Sequence, residues 1–162
     1  DAGIRMARLV AKMKSPYHRS MLLHRMAFGG YNKKYTKPRT ENDWLSREEG
    51  VVKDYFSDPK CGFVFTANGF ETLFTLLKRA SQEEIFQNTP KELPLLVIAG
   101  KMDPVGDYGK GPTQVAQRYR QAGVTHVELE LRPGARHEVL NETDKEEVYE
   151  RILEFFQEQL PS

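Results

Sequence analysis

The sequence predicts an α/β chain, a mainly helical first part followed by a strand, helix, strand, helix run. Three observations carry this expectation. Between Leu93 and Asn141 an apolar run, Leu95 to Ala99, stops at Gly100, a helical segment follows, and a second strand, Val127 to Leu131, leads to a turn holding His137. A βαβ order with short connections gives a parallel pair under a right-handed crossover, so both strands end on the same edge of one sheet. The pattern also changes near Leu93, with no convincing strand before it, and a boundary there divides residues 1–92 from 93–162. Finally, Asp103 and His137 fall just beyond the two strand ends, where ligands of open α/β sheets bind.

In chain order, Ile4, Met6, Ala7, Leu9, Val10 and Met13 recur at helical spacing with Arg5, Arg8, Lys12 and Lys14 between them, an amphipathic basic helix. Such a helix suits a neighbour in the fold better than a lipid surface. Pro16 interrupts it, and a second helix, Arg19 to Phe28, ends at Gly29 and Gly30. YNKKYTKPRT lacks periodicity and reads as a surface loop; it is too short for a nucleic-acid patch of basic and aromatic residues. Ser46 and Glu49 have capping-box spacing before Val51, Val52, Tyr55 and Phe56, and Asp58 with Pro59 closes that helix. Thr66 caps a helix with Phe70, Leu73, Phe74, Leu76 and Leu77 on it, and Ser81 with Glu84 repeats the capping-box spacing before Ile85 and Phe86. Phe28, Phe63, Phe65 and Phe70 are candidate walls of an apolar pocket, although a phenylalanine stripe at helical spacing is more often core.

In the second part, Gly106, Gly109 and Gly111 crowd the turn after Asp103. Their spacing matches neither the dinucleotide fingerprint nor the phosphate loop, so they are read as a turn that lets backbone pass close to a reacting centre. A helix from about Thr113 to Ala122 ends at Gly123. In the strand HVELELR, Val127, Leu129 and Leu131 alternate with Glu128 and Glu130, one face buried and one wet. Thr143 and Glu146 head a last helix whose apolar side, Val148, Ile152, Phe155, Phe156 and Leu160, is expected to cover the sheet.

Charge is balanced, Lys plus Arg 24 against Asp plus Glu 23, which gives no push toward nucleic acid. Cys61 alone excludes an internal disulfide, is expected to be buried as a small apolar group, and suits a reducing, cytoplasmic setting. No metal-ligand spacing, cofactor motif, membrane-length apolar run or signal-peptide pattern is present. The chain begins with Asp1 rather than methionine, and we expect a cut or an internal start.

The carboxylate of Asp103 can fix the tautomer of His137 and stabilise its imidazolium, leaving the second ring nitrogen free as a general base. A base needs a nucleophile, and none is found. The six serines, Ser15, Ser20, Ser46, Ser57, Ser81 and Ser162, all lie outside any Gly-x-Ser-x-Gly elbow. Asp107 is an alternative acid in the same turn; His18, His24 and His126 are read as structural or solvated. Two other readings remain: a binding module without catalysis, and a metal-assisted site of Asp103, Asp107 and His137.

With these residues in hand the chain resembles the C-terminal part of a bacterial α/β-hydrolase, in the group of monoacylglycerol lipases, lysophospholipase-like enzymes and S33 serine aminopeptidases. RSMLLHRMAFGGYNKKY and DWLSREEGVVKDYFSDPKCGFVFT resemble that group's helical cap; GKMDPVGDYGKG and PGARHEVLNE resemble its acid and histidine turns. The resemblance implies a cap or lid over residues 1–92 and a C-terminal piece of the hydrolase core over 93–162. It also implies a serine hydrolase acting on an apolar acyl substrate without a cofactor, with Asp103 as acid and His137 as base. The nucleophile, oxyanion-hole amides and first strands would lie upstream of Asp1 or on a second chain. A sheet this small would leave an apolar edge, through which the isolated chain would aggregate or form a homodimer.

Overall fold

Two apolar clusters organise residues 1–160, the part of the chain described by the computed structural model. The first belongs to the helical half. Helix α1 (Ala2–Met13) lies along α4 (Ala67–Ala80), and α2 (Met21–Phe28) closes the group. Buried Ala7, Leu23 and Phe70 form its centre, with Met6, Val10, Phe65, Leu73 and Phe74 packed round them. Short side chains set the spacing: a Cβ on Gly3 would lie 2.9 Å from the Phe74 ring. Helix α2 starts two residues later than expected, because Ser20 caps it by accepting from the Leu23 N–H at 3.3 Å.

Two capping boxes expected from spacing are not used. Helix α3 (Glu49–Ser57) is capped by Glu48, since the Ser46 hydroxyl instead donates to the Asn141 carbonyl at 2.8 Å, far away in the chain. Ser81 bonds back to the Leu77 carbonyl at 2.8 Å, so α5 (Glu83–Gln87) begins without a side-chain cap. Thr66 does cap α4, accepting from the Gly69 N–H at 3.0 Å.

The second cluster covers the sheet. Strands β1 (Leu95–Gly100) and β2 (Val127–Arg132) pair in parallel, from Leu95 opposite Val127 to Gly100 opposite Arg132. Helix α6 (Lys110–Gln121) connects them, starting about a turn before the expected Thr113. Its preceding residues, Asp107, Tyr108 and Gly109, all have positive φ (47°, 56° and 90°), a conformation that turns the chain sharply into the helix. Helix α7 (Lys145–Glu158) lays Val148 and Ile152 against Ile98, Ala135 and Val139.

Two expectations for this half need correction. Phe156 and Leu160 do not cover the sheet; they stay exposed, and Val148 and Ile152 fill the face that contacts it. Glu128 and Glu130 are not on a wet face: Arg151 of α7 pairs with both, and Arg132 also bonds Glu130 at 3.1 Å, so every residue of β2 is half-buried. The outer edge of β1 has no strand partner among the described residues. The halves on either side of Leu93 pack together through Phe86 on Tyr119, ring centroids 4.8 Å apart, and Arg118 with Glu83 at 2.9 Å. No helix among the described residues is long and apolar enough to cross a membrane.

One position ties the sheet to the site. A Cβ at Gly100 would lie 2.0 Å from the Arg136 carbonyl oxygen and 2.4 Å from that of Ala135, so the end of β1 and the His137 turn touch as backbone. Gly100→Ala is expected to force them apart and cost about 1–3 kcal/mol or more. Thermal melting checks this, and an unchanged midpoint would mean that the turn yields freely.

Candidate active site

Asp103 is placed by an extension of the β1 ladder. The Lys101 N–H bonds the Arg132 carbonyl at 2.9 Å and the Met102 N–H bonds that of Ala135 at 2.8 Å, carrying the chain to Asp103 at the strand's C-terminal end. There the Val105 N–H donates to Asp103 Oδ1 at 2.8 Å, and the Tyr108 N–H closes the turn on the Asp103 carbonyl at 2.8 Å. A Cβ on Gly106 would sit 3.3 Å from Asp103 Oδ2. The glycine-rich turn thus brings bare backbone against the carboxylate.

His137 arrives from the other strand end. Its Nδ1 lies 3.1 Å from Asp103 Oδ2. An ionised carboxylate only accepts, so Nδ1 carries the proton and donates. The ring is 37% exposed, and Nε2 has no hydrogen-bond partner among the described residues. Asp103, by contrast, is buried. The hydrogen bond to Asp103 raises the His137 pKa above the ordinary histidine value, against the opposing effect of burial, with the charges of Asp103 and Glu138 adding to the rise.

The folded value exceeds that of an unfolded histidine, so the pair stabilises the fold fully below the ordinary histidine pKa and stops doing so as pH rises through the raised one. Asp103→Asn is therefore expected to destabilise the chain more at about pH 5.5 than at about pH 9. Denaturant titrations at the two pH values check this; equal losses would show that the proton on His137 is not bound more tightly in the fold.

Several groups that sequence reading passed over hold the pair. Four consecutive carbonyls, from Asp43 to Ser46, face the histidine turn: the Arg136 guanidinium donates to those of Asp43 and Ser46, the His137 N–H to Trp44 (3.3 Å) and the Glu138 N–H to Leu45 (2.8 Å). Asp43 braces this strap by accepting from the N–H groups of Arg39 and Thr40 and from the Thr40 hydroxyl. Tyr35, expected on a surface loop, donates its hydroxyl to the Met102 carbonyl at 2.6 Å and lies under Arg136, 4.4 Å from ring centroid to guanidinium. Burial raises its pKa.

Behind the turn, the Glu142 side chain is fully buried and accepts from the N–H groups of Arg136 (2.7 Å), Thr143 (3.1 Å) and Arg47 (3.2 Å) and from Arg47 Nε (2.8 Å). The one available signal for these residues was their place in the quoted motifs.

Other candidates lie elsewhere. Asp107 is exposed and pairs with Lys110 at 3.2 Å, away from the His137 pair. Among the described residues, no group of three or more His, Cys, Asp or Glu side chains converges as a metal site would require. His126 bonds Glu128 at 2.8 Å. Ser46, next to the strap, has its hydroxyl buried and committed to the Asn141 carbonyl and the Glu48 N–H.

A cavity of about 720 Å³ opens between α2, α3 and the segment 60–65. Phe28, Phe63 and Phe65 line it; Phe70 does not, being fully buried in the first cluster behind Phe65 and Phe28. Cys61, expected to be buried, is half-exposed on the cavity wall, and His24 and Trp44 also face it.

A parallel strand pair with an acid and a histidine at adjacent strand ends is the arrangement found in the second half of the α/β-hydrolase fold. Comparison with known proteins agrees and narrows the class. The serine aminopeptidase, S33 family matches residues 2–144, and the chain belongs to it. Among solved structures it is similar to a thermostable carboxyl esterase from Bacillus coagulans in complex with glycerol (27% identity, TM-score 0.85). That match covers 95% of this chain and 50% of the esterase. A lipase in its open form gives 26% identity and a TM-score of 0.84 over 95% of this chain and 50% of the lipase. A soluble variant of monoglyceride lipase from Saccharomyces cerevisiae, at 20% identity and TM-score 0.65, shares the fold over 99% of this chain and 50% of that protein. The chain thus spans about half the length of these relatives, in keeping with a C-terminal portion of an α/β-hydrolase sheet preceded by helices. No similar sequence is found among curated proteins.

Proposed function

We propose that this chain supplies the acid and the base of a serine hydrolase that cleaves carboxylic esters of apolar acyl groups. One observation carries the reading: Asp103 Oδ2 holds His137 Nδ1 at 3.1 Å while Nε2 stays unbonded on a ring that is partly open to solvent. In that arrangement Nε2 takes the proton of a serine hydroxyl as it attacks the ester carbonyl, Asp103 stabilises the imidazolium, and the proton then passes to the leaving alcohol. No cofactor enters this sequence. The serine and the oxyanion-hole amides come from residues outside this chain, on the same polypeptide or on a partner that pairs with the outer edge of β1. Residues 1–92 act as the cap, with Phe28, Phe63 and Phe65 as the acyl-facing wall. A free cysteine beside this site suits a reducing compartment such as the cytoplasm.

A fluorophosphonate probe tests the proposal. It should label a serine in the assembly that contains this chain together with a Gly-x-Ser-x-Gly elbow, and His137→Ala should abolish the labelling. Labelling of this chain by itself would point to a different nucleophile and overturn the assignment.

A further inference from the structure

Trp44 is the single tryptophan of the chain and the point where the cavity meets the acid and base pair. Its indole lines the cavity, and the same ring packs on the imidazole of His137, centroids 5.2 Å apart and planes tilted by 50°. His137 itself is not on the cavity wall. The Tyr31 ring meets the indole edge-on at 5.0 Å, and the Trp44 backbone carbonyl accepts the His137 N–H at 3.3 Å, so both ring and main chain are held. Rings at comparable spacing continue outward, Tyr31 to Phe28 at 5.8 Å and Phe28 to His24 at 5.2 Å, so an unbroken aromatic run reaches from α2 to the histidine.

We propose that Trp44 is a positioning residue through which occupancy of the cavity is registered at His137, with an aliphatic chain as the occupant. An aliphatic chain seated on the indole fills the cavity side of the ring and excludes water there. The imidazole on the other side then loses mobility and solvent. The proposal rests on the hydrolase reading for its purpose, because a base that is tuned when an acyl group is in place favours reaction over idle protonation. The charged groups that act on His137 are Asp103 and Glu138, and Tyr31, whose pKa is raised by burial and then by the Asp103 charge, packs on the indole. None of them lines the cavity, so Trp44 is the direct link.

The test uses the chain as it stands, with 1-octanol as the probe. Trp44 fluorescence should shift saturably as octanol is added, and the His24 ring signals, which report the cavity directly, should move with the same affinity. The His137 titration midpoint, followed by NMR, is expected to fall by about 0.5 pH unit at saturation, because lost solvent disfavours the imidazolium. Linkage requires the converse: octanol should bind about threefold more tightly well above the midpoint than well below it. Trp44→Leu should keep the His24 response and lose most of the His137 shift, while Trp44→Phe, which keeps a ring, should retain part of it. Should the leucine variant fail to fold, the wild-type shift and its pH-linked affinity still decide the matter.

A His137 midpoint that ignores bound octanol, or moves equally in wild type and Trp44→Leu, would overturn the coupling and leave the hydrolase reading intact. Absence of any octanol binding would overturn both the coupling and the apolar-substrate assignment. If instead Asp103→Asn leaves the His137 midpoint unchanged without octanol, the acid and base pairing is what falls.

Discussion

Asp103→Asn should lower ester turnover by about ten-thousand-fold in the assembly that carries the nucleophile, with little change in KM. The amide can still occupy the space of the carboxylate and accept from the Val105 N–H, so the turn survives. What changes is the proton. An amide can present either its oxygen or its NH2 to His137 Nδ1; the donor arrangement puts the ring proton on Nε2, where a base needs a lone pair. The imidazolium formed during turnover also loses the charge that stabilises it. Steady-state kinetics on a short-chain ester would show this, and a variant within tenfold of wild type would remove Asp103 from the mechanism.

Glu142→Ala is expected to be the most damaging single change to the fold, at about 3–5 kcal/mol. Truncation leaves the Arg136, Thr143 and Arg47 N–H groups without their acceptor and strands the Arg47 guanidinium, which keeps only Asp144. Glu142→Gln, with the same shape and one fewer acceptor, should lose less. Chemical denaturation of the two variants gives the comparison. Because the Arg136 N–H is one residue from the histidine, the alanine variant should also broaden the His137 NMR signals; a sharp signal at the wild-type position would separate Glu142 from the site.

The parts of the molecule legible in the sequence were those set by local pattern. The run Leu95 to Gly100 and the alternation Val127 to Leu131 each specify a strand by periodicity, and the crossover puts Asp103 and His137 on one edge. Capping-box spacing does not set a helix start where the hydroxyl has another acceptor, the preceding turn for Ser81 and a remote loop for Ser46. Ser46 has the right neighbour for a capping box, yet its hydroxyl donates to the Asn141 carbonyl, 95 positions away. Phe156 and Leu160 share the apolar spacing of α7, but the sheet is too narrow to receive that many side chains. Glu128 and Glu130 looked solvated because nothing in their own strand announces Arg151. The support of the site was hidden for the same reason: Tyr35 and Trp44 act through backbone and ring contacts with residues that no periodicity connects to them.

The row of four carbonyls from Asp43 to Ser46 has a mechanical consequence. Releasing it would break the hydrogen bonds that fix the backbone on either side of the base, at about 1 kcal/mol for each bond. Residues 43–46 are therefore tied to the His137 turn, although they precede it by about 90 positions in the chain. Breathing that admits a bulky guest is then left to the other walls of the cavity, α2, α3 and the segment 60–65, and the chemistry can stay aligned while the entrance opens.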